Sequence, residues 1–283
     1  MKLLNLVFAG LIASCISCGN DNEIPEDPGW TNPDDGDVEI LSVMSYNTRH
    51  CAPYDPNDKD KKPDIDGIAT VIKAKNPDVV LLQEIDSCTT RSNKVDQTKE
   101  LAKKANYPYY HFFKMFDYQG GKYGMAMLSK MQIKDAVSVK LPDEINGYPM
   151  SGNSAYGTAS VSLKGKDISF VVCHLPLTQA ERDVQVPYII GKVIELRKPI
   201  IWGGDFNATP DNNTIKQLVS AGFVRTNKNP INYTIPSNKP NREIDYISYF
   251  PNDAFAVESH IVVSGTSASD HLPIISALKP KYN

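Results

Sequence analysis

The chain contains nine short apolar runs rich in β-branched and aromatic residues, and their recurrence restricts the folds that it can adopt. Several runs are continuously apolar rather than alternating, as expected for strands covered on both faces. The runs span residues 38–46, 79–84, 123–129, 155–163, 168–175, 199–206, 245–250, 257–263 and 272–278. Sheets built from such strands must be covered by other layers of the fold.

Helical patterns separate some of these runs, at residues 65–76, 95–105, 178–197 and 211–221. Asn76-Pro77 ends the first pattern, because a proline disfavours helical geometry in the residue before it. Thr178 and Glu181 have the spacing of a capping box at the start of the third. Pro187 predicts a kink or a break in that helix. The mixed order of elements indicates an α/β fold with packed sheets inside and helices outside.

Six of the apolar runs begin or end next to an Asn, Asp, Glu or His. These residues are Asn47, Glu84, His174, Asp205, Asn207, Asp245, Asp270 and His271. Each has an ordinary explanation when taken alone: Asn47 suits a turn, Glu84 suits a strand end facing water, and Asp245 could pair with Arg242. The chain has only five histidines, however, and the repeated coincidence at strand ends favours a common site.

This set of side chains suits phosphoryl transfer assisted by a metal. Mg²⁺ prefers hard oxygen ligands and keeps several waters, so one or two carboxylates and an amide oxygen suffice to hold it. A carboxylate can orient or deprotonate a water, and histidines can stabilise the charged transition state. Zinc fits less well, because the chain has neither an HExxH motif nor spaced Cys/His pairs.

Seven motifs make the assignment more specific: "MSYNTRH", "NPDVVLLQEID", "DYQGGKYGMAMLSK", "VVCHLPLTQAERDVQ", "IIWGGDFNATP", "NREIDYI" and "SASDHLPI". In this order they resemble the successive motifs of the endonuclease/exonuclease/phosphatase family, which includes DNase I-like and exonuclease III-like enzymes. The resemblance spans residues 40–278. It implies a four-layer α/β/β/α sandwich of two packed mixed β-sheets flanked by helices, with the site at one edge.

The resemblance also implies roles for the polar residues. Asn47 and Glu84 resemble the metal-binding pair, with Asp270 near the metal. Asp205 resembles the acid that activates water, and Gly203-Gly204 is expected to let the chain turn closely before it.

The remaining roles concern the phosphate. Asn207 resembles the residue that holds a phosphoryl oxygen, and His271 resembles the phosphate-contacting histidine whose ring Asp245 orients. His174 stands where family members carry a His or Tyr that touches the phosphate. Arg182 and Gln185 resemble a structural helix motif.

The implied activity is hydrolysis of a phosphodiester or phosphomonoester by a monomer, with Mg²⁺, or Mn²⁺ in its place, as the cofactor. The substrate class stays open between nucleic acid, phospholipid and a small phosphorylated molecule. Residues 111–119, "HFFKMFDYQ", are aromatic enough to stack a base or sugar, and core packing explains them equally well. The alternative is a non-catalytic surface binding module on the same fold; a missing metal ligand would indicate it, and none is missing.

The first 37 residues predict export. Residues 1–18 form a signal peptide with a basic Lys2 and an apolar run too short to span a bilayer. Cys15 ends an Ile-Ala-Ser-Cys sequence that resembles a bacterial lipobox, and Cys18 is a second candidate for lipidation. Residues 19–37 hold seven acids and no Lys or Arg, which predicts a flexible tether. We therefore expect a periplasmic or cell-surface bacterial lipoprotein, attached to the membrane through its N-terminal lipid.

Residues 38–283 are interpreted as one catalytic domain. They keep 29 basic and 26 acidic residues of the 30 and 33 in the whole chain. This small excess of basic residues does not predict the clearly basic face that is typical of DNA-binding proteins. Cys51, Cys88 and Cys173 remain in the domain, and a Cys51–Cys88 disulfide is left open because each follows a proposed metal ligand by four residues.

The lipidation hypothesis makes a direct prediction. Radiolabelled palmitate should enter the full-length protein when it is expressed in a bacterium, because the lipobox cysteine would be acylated. Changing both Cys15 and Cys18 to Ser should abolish the label, and the two single variants should identify the modified residue. A double variant that still carries the label would contradict the hypothesis.

Overall fold

Two six-stranded sheets face each other in this computed structural model, which describes residues 39–58, 61–227, 229 and 232–281. The predicted signal peptide and tether lie outside the described residues. The strands are β1 (Leu41–Asn47), β2 (Val79–Ser87), β3 (Tyr109–Tyr118), β4 (Gly121–Ser129), β5 (Lys134–Lys140), β6 (Glu144–Ile145), β7 (Tyr148–Pro149), β8 (Ala155–Leu163), β9 (Lys166–His174), β10 (Ile200–Asp205), β11 (Val224–Arg225), β12 (Asp245–Phe250), β13 (Phe255–Val262) and β14 (Ile274–Pro280). The first sheet has the order β13-β14-β1-β2-β4-β3, and the second has the order β11-β12-β10-β9-β8-β5. Each sheet contains one parallel pair, β1–β2 in the first and β9–β10 in the second; the other pairs are antiparallel.

The helices are α1 (Ile65–Lys75), α2 (Gln97–Ala105), α3 (Gln179–Ile194) and α4 (Asn213–Ser220), with a 3₁₀ turn at Arg49–Cys51. Among the described residues, no helix is both long enough and apolar enough to cross a bilayer.

Three hydrophobic layers hold the sheets and helices together. The central layer lies between the two sheets and includes Leu81, Phe113 and Phe170. The helices α1 and α2 cover the outer face of the first sheet, and α3 and α4 cover that of the second. Each fully buried Leu, Ile or Phe contributes roughly 1.5–3 kcal/mol. The predicted four-layer α/β/β/α sandwich is confirmed.

Five strands, β3, β5, β6, β7 and β11, were not among the predicted runs. Strand β5 lies at the edge of its sheet, and most of its residues are exposed, so its sequence carries lysines instead of an apolar run. Strand β3 is also an edge strand. It buries Phe112 and Phe113 while leaving Asp117 exposed, so residues 111–119 combine core packing with a partly open surface.

The third helix differs from its prediction at two places. Pro187 does not split α3: it lies on the exposed side, and the backbone oxygen of Asp183 accepts a hydrogen bond from Gln217 of α4 instead. Thr178 is the N-cap, but its side chain makes no capping hydrogen bond. Glu181 accepts hydrogen bonds from the backbone and hydroxyl of Ser151, so the predicted capping box does not form.

The possible disulfide between Cys51 and Cys88 is not formed. Cys51 is a buried free thiol, as is Cys173. Burial raises the pKa of both thiols, which keeps them protonated at neutral pH. The Cys173 sulfur accepts a hydrogen bond from the Trp202 indole at 3.1 Å, so this thiol is part of the packing under the second sheet.

Contact between the sheets predicts opposite effects for two glycine substitutions. A Cβ at Gly157 would lie 2.4 Å from Cγ of buried Phe113, so Gly157→Ala should destabilise the domain by about 1–3 kcal/mol. Gly191 lies on the exposed side of α3 with nothing within 4 Å of an added Cβ, so Gly191→Ala should stabilise it by roughly 0.5–1 kcal/mol. Urea unfolding followed by tryptophan fluorescence measures both. Equal stabilities for the two variants would show that the sheets are not packed this closely.

Candidate active site

The parallel strand pairs place polar residues at one edge of the sandwich. Asn47 ends β1 and Glu84 lies in the neighbouring β2, while His174 ends β9 and Asp205 ends β10. Asp205 is the register partner of both His174 and Asp245. Because the carboxyl ends of parallel strands share one sheet edge, strand pairing brings Asn47 close to Glu84 in the first sheet and His174 close to Asp205 in the second. The packing of the two sheets then brings these two pairs together.

The two glycines before Asp205 do not form the predicted turn. Strand β10 continues through Gly203 and Gly204 to Asp205. A Cβ at Gly204 would lie 2.3 Å from the backbone oxygen of Cys173 in β9, and one at Gly203 would lie 2.7 Å from Leu81 Cδ1. The glycines therefore allow close approach, both within the second sheet and to the first sheet.

Glu84 reaches the site through a β-bulge. The register between β2 and β4 shifts between Leu82 and Ile85, and Glu84 has a left-handed φ of 56°. Such a backbone is costly for a non-glycine residue and is found most often at functional sites. The hydroxyl of Thr48 lies 3.0 Å from the backbone oxygen of Gln83 and 3.1 Å from that of Glu84, which holds the bulge.

Asn47 connects the two sheets. Its amide nitrogen donates hydrogen bonds to Glu84 Oε1 and to Asp205 Oδ2, each at 3.0 Å, and the side chain is fully buried. Its amide oxygen accepts a hydrogen bond from the backbone of Arg49. Burial raises the pKa of Asp205, and the nearby Asp245 carboxylate raises it further. Burial also disfavours ionised Glu84, but His174 and the Asn47 amide outweigh it and lower the pKa of Glu84.

His271 is paired with Asp245 in the second sheet. Its Nδ1 lies 2.9 and 3.1 Å from the two carboxylate oxygens of Asp245, one of which also accepts a hydrogen bond from Thr234. Its Nε2 lies 3.7 Å from Asp205 Oδ2. Burial alone would lower the pKa of His271, but Asp245 and Asp205 outweigh it and raise the pKa to about 10. The ring is therefore a cation at neutral pH.

His174 faces both candidate acids. Its Nε2 lies 3.6 Å from Asp205 Oδ2 and 3.9 Å from Glu84 Oε1. Its Nδ1 lies 3.4 Å from the hydroxyl of Tyr123 in β4. A hydrogen bond donated by this hydroxyl leaves the imidazole proton on Nε2, directed at the carboxylates. His174 thus contacts both Asp205 in the second sheet and Tyr123 in the first.

Asp270 lies at the more open side of the site. Its side chain is 28% exposed and lies 3.9 Å from Arg49 Nε. Burial raises the pKa of Asp270, and the charge of Glu84 adds to this effect. The hydroxyl of Ser269 donates a hydrogen bond to the backbone oxygen of Asn47, which attaches the segment before β14 to the end of β1.

Two sets of side chains could hold a cation. Donor atoms of Asp205, Asp245 and His271 lie within 4.8 Å of one another. The His271 cation, however, already neutralises charge in that set. Glu84 and Asp270 repel each other on the partly exposed side, so these two carboxylates, predicted from the sequence to lie at the metal, fit a divalent cation better. Asn47 directs its amide nitrogen at Glu84, so it would have to turn its oxygen toward the ion to serve as a further ligand.

Asn207 and the motif on α3 shape the walls of the site. Asn207 has a left-handed φ of 49°, donates its backbone N–H to Asp205 Oδ1 at 2.8 Å, and donates its amide to the Leu175 oxygen. Arg182 is buried and donates to the backbone oxygens of Pro176 and Leu177, directly after His174. Gln185 donates to Ser154. Arg182 and Gln185 therefore hydrogen-bond to the segments that border the site, namely the loop after β9 and Ser154.

The sequence predicted that all eight candidate residues lie in one region, and the structure places them there. The sequence did not predict the residues that hydrogen-bond to them and hold them in position. Tyr123 lies in a quoted motif and was assigned no role, although it contacts His174. Thr234 follows no apolar run, so only the folded chain shows that it supports Asp245.

A comparison with protein-family models identifies the family. The model described as "Endonuclease/Exonuclease/phosphatase family" matches residues 44–271. The chain belongs to this family. The matched segment contains every candidate site residue from Asn47 to His271. A search of curated proteins found no match to the chain.

Solved structures with this fold include members of the family from bacteria and animals. An endonuclease/exonuclease/phosphatase from Beutenbergia cavernae is 23% identical, with 86% of this chain and 72% of that chain covered and a TM-score of 0.71. Mannosyl-6-phosphatase from Bacteroides thetaiotaomicron is 19% identical, with coverages of 84% and 99% and a TM-score of 0.66. TDP2 of D. rerio, complexed with a single-strand DNA product, is 20% identical, with coverages of 84% and 98% and a TM-score of 0.62. At these identities the likeness establishes the fold.

The bridging role of Asn47 predicts a large effect of a nearly isosteric change. Asn47→Asp replaces the shared donor with a third carboxylate 3.0 Å from two others, so in EDTA at pH 8 the domain should lose about 3–5 kcal/mol of stability. Asn146→Asp, at the exposed left-handed position of the β6–β7 turn, makes the same change where Asp is tolerated; it should stay within about 0.5 kcal/mol. Urea unfolding compares them, and an unaffected Asn47→Asp would refute the bridge.

Proposed function

We propose that the chain is a Mg²⁺-dependent hydrolase of phosphate esters, with Mn²⁺ as the alternative ion. The observation that carries this proposal is the environment of Asp205. This buried carboxylate contacts the Asn47 amide, His174 and His271, at the edge where strands of both sheets end. A purely structural site has no need of two histidines around one acid whose pKa is raised.

Charge at the site supports the need for a metal. Asp205, Asp245, Glu84 and Asp270 are four acids within one cluster, and a phosphate would be repelled by them. The His271 cation offsets part of this charge. A divalent ion held by Glu84 and Asp270, with the Asn47 amide turned so that its oxygen faces the ion, would offset the rest and polarise the phosphoryl oxygen.

The chain's own residues would then supply the proton transfers and the positioning. Asp205 accepts a proton from the attacking water, and its raised pKa brings it closer to the operating pH of a general base. His271, held as a cation by Asp245, donates a hydrogen bond to a phosphoryl oxygen. His174 presents Nε2 toward the same place. The Asn207 amide is proposed to bind a phosphoryl oxygen once it leaves the Leu175 carbonyl.

The substrate proposal starts from the whole class of phosphate esters. The similar structures named above include a phosphatase of mannosyl 6-phosphate and a protein bound to single-strand DNA, so the fold accommodates both kinds of substrate. We further propose that the enzyme is an exported monomer, tethered to the membrane through a lipid on Cys15 or Cys18. An activity screen should therefore include nucleic acids, sphingomyelin, inositol phosphates and sugar phosphates, each with Mg²⁺ and with Mn²⁺.

Three substitutions distinguish the proposed base, metal ligand and phosphate contact. Asp205→Asn should lower kcat by ~10²–10⁴-fold, because the base is lost. KM and the Mg²⁺ concentration at half-maximal rate should move little. Glu84→Gln should instead raise that Mg²⁺ concentration, with part of the rate recovered at saturating metal. His271→Ala should lower the rate and leave the Mg²⁺ concentration at half-maximal rate unchanged. Steady-state kinetics over a Mg²⁺ titration measures all three.

A surface variant controls for the loss of a carboxylate. Asp253→Asn, in the exposed turn between β12 and β13, should match the wild-type enzyme in both rate and metal titration. Near-normal turnover by Asp205→Asn would contradict the assignment of the base. An unchanged Mg²⁺ titration in Glu84→Gln would contradict the metal site alone. Substrate binding without any turnover by the wild-type protein would support the alternative of a binding module.

A further inference from the structure

We propose that Arg91, with the rings of Phe116, Tyr118 and Tyr123, forms a subsite that recognises a neutral polyhydroxylated group, such as a sugar ring, esterified to the phosphate. We refer to these four residues as the arginine subsite. The inference rests on the proposed function, since it names the part of the substrate beyond the phosphate.

Arg91 is held in one orientation by a buried acid. Its Nε and Nη2 donate to the two carboxylate oxygens of Asp86 at 2.7 and 2.8 Å. Asp86 has no exposed side-chain surface and also accepts hydrogen bonds from Thr89 and Ser92. A bidentate pair fixes the plane of the guanidinium. Its opposite edge, with Nη1 and the second N–H of Nη2, has no protein acceptor among the described residues, and the side chain is 27% exposed.

Aromatic rings surround this guanidinium. Its central carbon lies 4.8 Å from the centroid of the Tyr118 ring and 5.6 Å from that of Tyr123. Phe116 packs against Tyr123 with 5.0 Å between ring centroids. All three rings are half-buried, and they come from the ends of β3 and β4 next to the bulge of β2. The aromatic segment that the sequence left between core packing and ligand binding therefore lies partly on the surface.

Tyr123 connects the arginine subsite to the candidate active site. Its hydroxyl lies 3.4 Å from His174 Nδ1, and its ring is one of the two under Arg91. His174 in turn faces Asp205 and Glu84. A phosphate placed beside His174 thus has the Arg91 edge one side chain away. This spacing suits the alcohol part of the same ester rather than a separate ligand.

The charge of the subsite selects among substrate classes. Asp86 neutralises Arg91, so the subsite offers fixed N–H donors without a net positive charge, and a second phosphate would gain little from it. Arg91 lies over the faces of both tyrosine rings and Phe116 packs against one of them, which makes the rings a poor platform for a stacked base. Hydroxyl oxygens accept hydrogen bonds and carry no charge, so they suit the fixed N–H donors of Arg91 beside the tyrosine rings.

The test compares substrates that share the phosphate and differ in the alcohol. Hexose monophosphates, p-nitrophenyl phosphate and thymidine 5′-monophosphate are assayed with the wild-type protein, Arg91→Lys and Tyr118→Leu. Arg91→Lys keeps a positive charge beside Asp86 and removes the planar guanidinium donors. Tyr118→Leu leaves the Arg91–Asp86 ion pair in place, so it still tests the subsite if Arg91→Lys does not fold. We expect kcat/KM for hexose phosphates to fall at least tenfold in both, against less than threefold for p-nitrophenyl phosphate.

The matched control is Tyr109→Leu, a half-buried tyrosine at the opposite end of β3, about 30 Å from Tyr118 along an extended strand. It should behave as wild type on every substrate. Free hexose should also inhibit p-nitrophenyl phosphate hydrolysis, and Arg91→Lys should weaken that inhibition at least tenfold.

The outcomes separate this inference from the proposed function. If kcat/KM fell by the same factor for all substrates in both variants, the subsite proposal would be overturned and the proposed phosphoesterase activity would stand. A hexose bisphosphate preferred over the monophosphate more than tenfold, with that preference lost in Arg91→Lys, would assign the subsite to a second phosphate. A preference for thymidine 5′-monophosphate lost in Tyr118→Leu would assign it to a base. No turnover of these monoesters, nor of the nucleic acids, sphingomyelin and inositol phosphates of the activity screen, with Mg²⁺ or Mn²⁺ would overturn the proposed function itself.

Discussion

The hydrogen bonds that Asn47 donates to Glu84 and Asp205 are the contact on which the rest of the site depends. They join a strand end of the first sheet to a strand end of the second, across the central hydrophobic layer. A carboxylate as buried as Asp205 is costly unless charged or polar partners surround it. Asn47, His174, His271 and the Asn207 backbone supply these partners, so the packing of the sheets and the electrostatics of the site stabilise each other.

The same arrangement divides four acids into two kinds. Asp205 and Asp245 are buried around His271, which neutralises part of their charge and is itself held as a cation. Glu84 and Asp270 are more open and lack a cation as close. A buried, paired set suits proton transfer and phosphate binding, whereas a partly open set with unbalanced charge suits a metal. The separation follows from which strand ends lie inside the sandwich and which lie at its rim.

The arginine subsite extends this division outward. Asp86 lies two residues after Glu84 in β2, and its bond to Arg91 places a neutral pair of groups beside a strongly charged centre. The bulge at Glu84 is the local reason that both are available, because the shift in register allows two acids so close in sequence to serve different neighbours. The proposed substrate selection and the proposed metal binding would thus both depend on a single irregular strand.

The sequence alone determined the fold class, the nine apolar strands and the set of polar residues at their ends, because buried strands require continuous apolar runs and charged residues stand out beside them. The family assignment followed from motif order and was confirmed. The sequence did not reveal the edge strands β3, β5 and β11, since β5 is mostly exposed, β3 is only partly buried along most of its length and β11 has two residues. Nor did it reveal that Pro187 is tolerated, because the partner of the Asp183 oxygen comes from another helix.

Only the tertiary structure decided the contacts between distant residues: the Asn47 bridge, the pairing of His271 with Asp245, the stacking of Arg91 on two tyrosines, and the free thiol at Cys51. These contacts join positions up to 158 residues apart, as between Asn47 and Asp205. Their geometry depends on how the two sheets pack, and local sequence carries no record of that packing.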